Sequence, residues 1–341
     1  MCPPVSPPPG PALDPETTVL AVDVGGTKLA AGLVDDSGRL LHAERAPTPT
    51  GGDGEVIWRE LSGLCDRVAA HADGAAHAGG VGGAGLAGVG VGCGGPMRWP
   101  SGEVSPLNIA GWHGFPLRAR LAERFAGLPV RIHNDAVCVT IAEHWLGAAR
   151  RCANVLGMVV STGVGGGLVL GGRLVDGGTG NAGHVGHIIV EPGGPPCGCG
   201  GRGCVEAVGS GTAVAGWALA NGWRPPAGTA VPTAREVAGA ARAGDPVARA
   251  AFERAGELVG MGIASAVALL DLDLVVVGGG LAQTGPLLFE PLRRGFRRHA
   301  RVDFAARTRI LPAALGVGAG LVGAAALIWH PDRYWSADRA G

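Results

Sequence analysis

The sequence predicts an α/β protein made of two similar halves. Three observations carry this. A short β-rich apolar run, Val19 to Val24, leads into Asp23-Val24-Gly25-Gly26-Thr27-Lys28 and resumes as Leu29 to Val34; strand, glycine turn, strand reads as a hairpin. The pattern returns at Val155 to Val160, followed by Ser161-Thr162-Gly163-Val164-Gly165-Gly166-Gly167 and a second strand, Leu168 to Leu170. Finally, 341 residues are enough for two lobes of ordinary size.

The elements follow in order. Met1 to Thr18 is proline-rich and has neither a basic leader nor an apolar core segment, so it reads as a disordered tail rather than a signal peptide. After the first hairpin, Leu40 to Ala46 reads as a third strand and Val56 to Ala72 as a helix by its apolar spacing. A Gly/Ala-rich loop is expected over His71 to Gly85. Leu86 to Gly92 reads as a buried strand broken by Cys93-Gly94-Gly95-Pro96. Asn108-Ile109-Ala110-Gly111-Trp112 follows, then a helix from Pro116 to Phe125 and a strand from Val130 to His133. Asn134-Asp135 closes that strand and opens the helix Ala136 to Leu146, where Asp135 has an ordinary role available as helix N-cap.

Beyond the second glycine turn the chain turns helical, at Thr212 to Ala220, Ala234 to Ala243 and Pro246 to about Leu270. Leu274 to Val277 is a buried strand ending in Gly278-Gly279-Gly280, a turn that lets a flat ring approach the backbone at Gly279. Arg293, Arg294, Arg297, Arg298 and Arg301 fall at helical spacing and read as a solvated face. Ala313 to Trp329 is apolar but short for a membrane span, so a packed C-terminal helix is expected.

Three sites of chemistry stand out. A glycine turn exposes backbone N–H groups that can cradle phosphate oxygens, which makes Gly25, Gly26, Thr27, Lys28, Thr162, Gly163, Gly165 and Gly166 candidate nucleotide contacts. Asp23, at a strand end, can hold Mg2+ through water, since hard cations prefer oxygen. Two such loops flanking Asp135 suggest two halves gripping one nucleotide. The third site is Asn181 to Glu206, where His187, Cys197, Cys199 and Cys204 form His-x9-Cys-x-Cys-x4-Cys. Three thiolates and an imidazole fill a tetrahedral zinc site, and a closed set of four protein ligands makes the zinc structural. Cys-x-Cys is poorly placed for a disulfide.

Composition narrows the class. Lys plus Arg and Asp plus Glu number 28 each, so there is no basic surplus for general nucleic-acid binding. The remaining cysteines, Cys2, Cys65, Cys93, Cys138 and Cys152, have no paired spacing, which suits a reducing cytoplasm. The wealth of Gly and Ala reads as a habit of composition rather than a fold signal.

With these residues assembled, the chain resembles the ROK family of sugar kinases and repressors, over essentially Val19 to Leu327. The resemblance rests on Asp23 to Lys28, Asn134-Asp135, the Thr162 to Gly167 loop and the zinc signature Gly183 to Glu206. It implies a two-lobed actin/hexokinase-like (ribonuclease H-like) fold. The small lobe would be 19–133 with a C-terminal helix (about 318–330) packed back on it. The large lobe would be 134–317 with its zinc loop at 187–204. ATP would bind against the glycine turns and the sugar deep in the hinge. Asp135 matches the family's catalytic base for the sugar 6-hydroxyl, and Asn108, Asn134, His187 and Glu206 match sugar-contacting positions. His187 would then be both zinc ligand and sugar contact. A cytoplasmic homodimer or homotetramer, with no membrane or nucleic-acid partner, is implied as well.

Three departures are informative. Gly94-Gly95-Pro96 stands for a frequent Pro-Gly-Pro, and Val137 for a frequent Asn. Most telling, Ala182-Gly183-His184-Val185-Gly186-His187 carries His184 where glucokinase-like members usually carry Glu. Gly-His-x-Gly-His before the zinc loop looks like the bacterial N-acetylmannosamine kinases. The expected reaction is ATP-dependent 6-phosphorylation of an N-acylhexosamine, N-acetylmannosamine above glucose. A repressor would need a helix-turn-helix ahead of the first glycine turn, and the proline-rich stretch before Val19 does not supply one.

Overall fold

The computed structural model describes residues 17–50, 53–77 and 85–337. The proline-rich tail expected over Met1 to Thr18 lies outside the described residues except for Thr17 and Thr18, and Thr18 already begins the first strand. The chain divides into two compact units. Unit 1 comprises residues 1–153, 167–182 and 314–341, and unit 2 comprises 154–166 and 183–313.

Unit 1 opens with β1 (Thr18–Val24), β2 (Lys28–Val34), β3 (Leu40–Pro47), α1 (Gly54–His77) and β4 (Leu86–Cys93). Three two-residue strands follow, β5 (Met97–Arg98), β6 (Glu103–Val104) and β7 (Phe115–Pro116). Then come α2 (Leu117–Arg124), β8 (Val130–Asn134) and α3 (Asp135–Trp145). The chain enters unit 2 with β9 (Val155–Val160) and returns along β10 (Val164–Leu170) to β11 (Arg173–Leu174). Its second passage through unit 2 forms α4 (Val205–Gly209), α5 (Gly211–Ala220), α6 (Ala234–Arg242), α7 (Pro246–Leu270), β12 (Leu274–Gly278), α8 (Pro286–His299), α9 (Asp303–Ala306) and β13 (Arg309–Pro312). Unit 1 is completed by α10 (Ala319–Trp329) and α11 (Pro331–Tyr334).

The sheet of unit 1 has the order β3-β2-β1-β4-β8. β1 pairs antiparallel with β2 and parallel with β4, and β4 pairs parallel with β8. Successive residues of β1 face opposite sides, and both sides are covered. Leu20 and Val22 meet Leu61 and Leu64 of α1, whereas Val19 and Ala21 meet Ile141 of α3 and Leu327 of α10. That double burial is why β1 reads as a continuous apolar run instead of an alternating one. In unit 2, β12 lies between β9 and β13, all parallel, so each unit carries three parallel strands and begins with a strand running into a glycine turn.

The structure corrects four expectations. The helix expected over Val56 to Ala72 continues to His77, into the stretch read as loop; residues 78–84 of that loop lie outside the described residues. The strand expected at Leu168 begins at Val164, so Gly165 and Gly166 are strand residues. The cap of α3 is Asn134, whose Oδ1 accepts the Ala136 N–H at 3.0 Å, which puts Asp135 in the first turn. Glycine also does more than reflect composition. A Cβ on Gly90 would lie 1.9 Å from the Ala324 carbonyl of α10, and one on Gly323 would lie 1.7 Å from the Cys138 carbonyl of α3. The close seating of the apolar α10 against β4 and α3 requires both glycines.

The arginines of α8 form the expected solvated face only in part: Arg297 and Arg298 are exposed, whereas Arg293 is part-buried and donates to the Ile310 carbonyl at 3.2 Å. Arg294 pairs with Glu253 of α7, and Arg298 lies 3.6 Å from Glu257. Arg301 falls beyond the end of the helix. Among the described residues no helix is long and apolar enough to cross a membrane.

Candidate functional site

In unit 1 the parallel strands deliver their polar termini to one end of the sheet. Asp23 pairs with Gly92 and Cys93 with Asn134 in adjacent registers. The first glycine turn is closed by the Gly25 N–H donating to the Lys28 carbonyl at 3.0 Å, and the Thr48 hydroxyl donates to the Gly25 carbonyl at 2.6 Å. Gly26 permits a close approach here, because a Cβ on it would sit 2.6 Å from Cγ of Asn108. Asn108 is thereby laid over the turn and is itself exposed.

Two carboxylates belong to this end of unit 1. Asp135, half-buried, takes the Ala136 N–H on Oδ1 at 2.7 Å. Burial, and after it the charge of Asp135, push the Asp23 carboxyl up to about 6, with Lys28 and Arg45 pulling the other way. Two carboxylates that oppose each other's ionisation suit a hard divalent cation, which would relieve both. The neighbouring thiols Cys93 and Cys138 are held well above their usual range by burial, so they are inert packing groups.

In unit 2 the Cys/His loop, read from the sequence as a zinc site, is a small hairpin. Val190 N–H donates to the Gly203 carbonyl, and Val205 N–H to the Ile188 carbonyl, both at 2.9 Å. At its tip Cys197 N–H donates to the Gly201 carbonyl at 2.9 Å. The ligand atoms of His187, Cys197, Cys199 and Cys204 all lie within 4.8 Å of one another. The closest pairs are Cys197 Sγ to His187 Nδ1 at 3.7 Å and Cys199 Sγ to Cys204 Sγ at 3.8 Å. A tetrahedron with Zn–S of about 2.3 Å has ligand edges of roughly 3.8 Å, so the donor set fits zinc in type and spacing. His187 would bind through Nδ1.

Glu206 ties this loop to the second glycine turn. Its Oε2 accepts the Val164 N–H at 2.9 Å, and its Oε1 lies 4.0 Å from Cys197 Sγ. The turn itself is Ser161–Gly163, with the Ser161 N–H donating to the Gly163 carbonyl at 2.8 Å. Thr162 is exposed at its tip. Gly166 serves packing: a Cβ there would meet the carbonyls of Gly157 and Gly183, each at 2.8 Å. His184 and His187 have their rings 6.2 Å apart and nearly parallel.

Beside the second turn is a pocket of about 910 Å³, walled by Leu219, Val231, Leu281 and Ala215, with Arg235 and Gln283 among its polar groups. The first residues of α5 are tied to the turn, Gly211 N–H to the Ser161 carbonyl at 2.7 Å and Thr212 Oγ1 to the Thr162 carbonyl at 3.0 Å. Gly279 has φ of +93°, and a Cβ on it would lie 2.4 Å from the Val160 carbonyl, so only glycine lets β12 end against β9 just before Gly280 and Leu281 of the pocket. Sequence reasoning found Gly279 but missed Arg235, Gln283 and the apolar walls, which carry no local motif.

A profile of the ROK family matches residues 19–330. The chain belongs to the ROK family. It is 33% identical over 325 residues to a glucokinase of Streptomyces coelicolor, covering 92% of this chain and 98% of that one. It is 36% identical over 312 residues to an N-acetylmannosamine kinase of Shigella flexneri, with 91% and 98% covered. A crystal structure of a ROK glucokinase from Streptomyces griseus in complex with glucose and AMPPNP superposes with a TM-score of 0.77 at 33% identity, covering 91% of this chain and 98% of that one. This protein is therefore a ROK sugar kinase with the actin/hexokinase-like fold. Relatives of both sugar specificities lie at similar identity, so the comparisons give a sugar substrate without choosing it.

Proposed function

We propose that this kinase transfers the γ-phosphoryl group of ATP to the 6-hydroxyl of an N-acylhexosamine, N-acetylmannosamine in preference to glucose. His184 carries the choice of sugar. A carboxylate at this position accepts hydrogen bonds from sugar hydroxyls, whereas an imidazole can also donate, as an acetamide carbonyl requires. It also spares the desolvation of a carboxylate beside an N-acyl group. The Shigella flexneri relative supports this reading. The glucokinase of Streptomyces coelicolor, matched over a slightly longer stretch, supports glucose as the second reading.

The chemistry follows from phosphoryl transfer, which is chiefly positioning and charge stabilisation. Asp135 accepts the proton of the 6-hydroxyl as that oxygen bonds to the γ-phosphorus. The bond to the bridging oxygen breaks, and ADP leaves. Asp23 and Asp135 would hold Mg2+ through water, which supplies positive charge for the phosphates. Asn108, Asn134, His184, His187 and Glu206 are assigned to the sugar. Asn134 spends its carbonyl on the α3 cap, so its amide N–H groups would serve. Glu206 spends one oxygen on Val164, so part of its role is to set the second turn.

The donor follows from the pocket in unit 2. Leu219, Val231 and Leu281 offer apolar walls to a flat base, which inorganic polyphosphate lacks, and this favours ATP. Zinc bound by His187, Cys197, Cys199 and Cys204 would fix the loop that carries His187 and Glu206. A homodimer or homotetramer in the cytoplasm completes the reading, on family resemblance.

The test is kcat/KM for both sugars in the wild type and in His184→Glu. N-acetylmannosamine should win in the wild type by about tenfold or more, and the exchange should shrink that ratio, since lost hydrogen bonds to a polar substrate group are costly. Glucose winning in the wild type would make the protein a glucokinase. An unchanged ratio in the variant would leave the substrate standing and remove His184 as its cause.

A further inference from the structure

The residue before Asn134-Asp135 is a fully buried histidine. His133 lies at the end of β8 with no exposed surface, and Asp176, 6% exposed, faces it from the segment after β11. His133 Nε2 is 3.0 Å from Asp176 Oδ1, and the Asn134 N–H donates to His133 Nδ1 at 2.9 Å. The second bond decides the tautomer. Nδ1 must accept, so the ring proton sits on Nε2 and is donated to Asp176. The other oxygen of Asp176 accepts the Ser336 hydroxyl at 2.5 Å. A continuous chain of bonds thus runs from Ser336 through Asp176 and His133 to the backbone of Asn134, the cap from which Asp135 projects.

The same C-terminal segment holds the other end of α3. His144, in the last turn and 2% exposed, donates from Nε2 to the Cys152 carbonyl at 2.9 Å. Its Nδ1 then accepts the Tyr334 hydroxyl at 2.8 Å. Tyr334 is fully buried. Residues 334–336 therefore grip α3 at both ends, and the Arg333 guanidinium adds a second donor to His144 Nδ1 at 3.3 Å. Buried polar groups satisfied this way define one geometry and are costly to leave half-made.

We propose that Asp176, His133 and Ser336 are positioning residues for phosphoryl transfer: with Tyr334 they set the start and tilt of α3, and so where Asp135 presents its carboxylate. This rests on Asp135 being the base. A displacement of about 1 Å in a reacting group can cost on the order of a hundredfold in rate, whereas sugar binding depends on many contacts and tolerates it.

The test compares Asp176→Ala, Asp176→Asn, Ser336→Ala and Asp135→Asn, assayed well below each melting temperature. Asp176→Ala should lower kcat by roughly tenfold to a hundredfold and leave the sugar KM within about threefold. Asp176→Asn should recover most of that loss, because its carbonyl still accepts from His133 and its amide can donate to the Ser336 oxygen. Ser336→Ala should cost a few-fold in kcat alone. In the Asp135→Asn background, Asp176→Ala should have no further effect on the residual rate, since there is no base left to misplace. Wild-type kcat in Asp176→Ala, failure of the Asn variant to recover, or an equal loss in the Asp135→Asn background would overturn the proposal. If Asp176→Ala does not fold, Ser336→Ala decides, and unchanged kcat there is the contrary result. Near-normal turnover in Asp135→Asn would instead remove the base assignment itself.

Discussion

The glycine turn that ends β1 and the one that ends β9 follow the same strand–turn–strand path but differ in what stands beside them. The first has charge. Asp23 lies at the end of its strand, Lys28 opens the next, and burial, with the charge of Asp135 after it, raises the Asp23 carboxyl to about 6. The second has shape. Its flanking carboxylate, Glu206, gives one oxygen to the Val164 N–H, Gly166 packs against carbonyls, and the Cys/His loop and an apolar pocket adjoin it. Under the proposed mechanism, the groups that move a proton and hold a cation would thus fall in one unit. The other unit would supply the groups that hold a base and a loop.

The largest effect should come from the charged unit. Asp135→Asn should keep the fold and sugar affinity and lose on the order of a hundredfold or more in kcat, the range for a positioned base. Calorimetry of sugar binding beside steady-state kinetics checks it, and near-normal turnover would break the contrast between the units. Next comes the shaped unit. Cys199→Ser should lower zinc below one per chain, and lower melting temperature and sugar affinity together, as structural zinc contributes folding energy. Metal analysis of wild-type protein purified without chelator should find one zinc per chain; none would refute the site.

A smaller effect concerns pH and sharpens the first turn. The Asp23 carboxyl is raised by folding, so its protonated form favours the folded state. That contribution is present below the ordinary carboxylate range and is lost as pH rises through about 6. Without Mg2+, the wild type should therefore lose melting temperature relative to Asp23→Asn between about pH 4 and 6.5. Added Mg2+ should narrow the difference. Parallel curves would show that folding does not raise the Asp23 carboxyl. The smallest effect is at Thr212, whose hydroxyl ties α5 to the second turn. Thr212→Ala should raise the KM for ATP by a few-fold at most, the net worth of one exposed hydrogen bond.

The two halves were not equally legible in the sequence. β1 and β2 stood out because both faces of their sheet are buried, which makes the apolar runs continuous around Asp23 to Lys28. The Cys/His loop stood out because four candidate zinc ligands fall within eighteen residues. α7 was legible at its start because Asp245 caps it and Pro246 takes its first position. The strands β5, β6 and β7 were not, since two residues have no period to detect. The apolar pocket of unit 2 was hidden because Leu219, Val231 and Leu281 come from three separate segments. The bonds behind Asp135 were hidden most deeply, as His133 and Asp176 are 43 residues apart and Asp176 and Ser336 are 160 apart. Glycine misled in the other direction: Gly90 and Gly323 looked like composition but are required by the packing of α10.

The division of labour between the units has one direct test, the single-turnover rate of phosphoryl transfer in Cys199→Ser at saturating sugar and ATP, below its melting temperature. If unit 2 only shapes and holds, the saturated rate should stay within about threefold of wild type even though more sugar is needed to reach it, the signature of lost binding rather than lost chemistry. A fall comparable to that of Asp135→Asn would place the zinc loop in the chemical step and contradict the account.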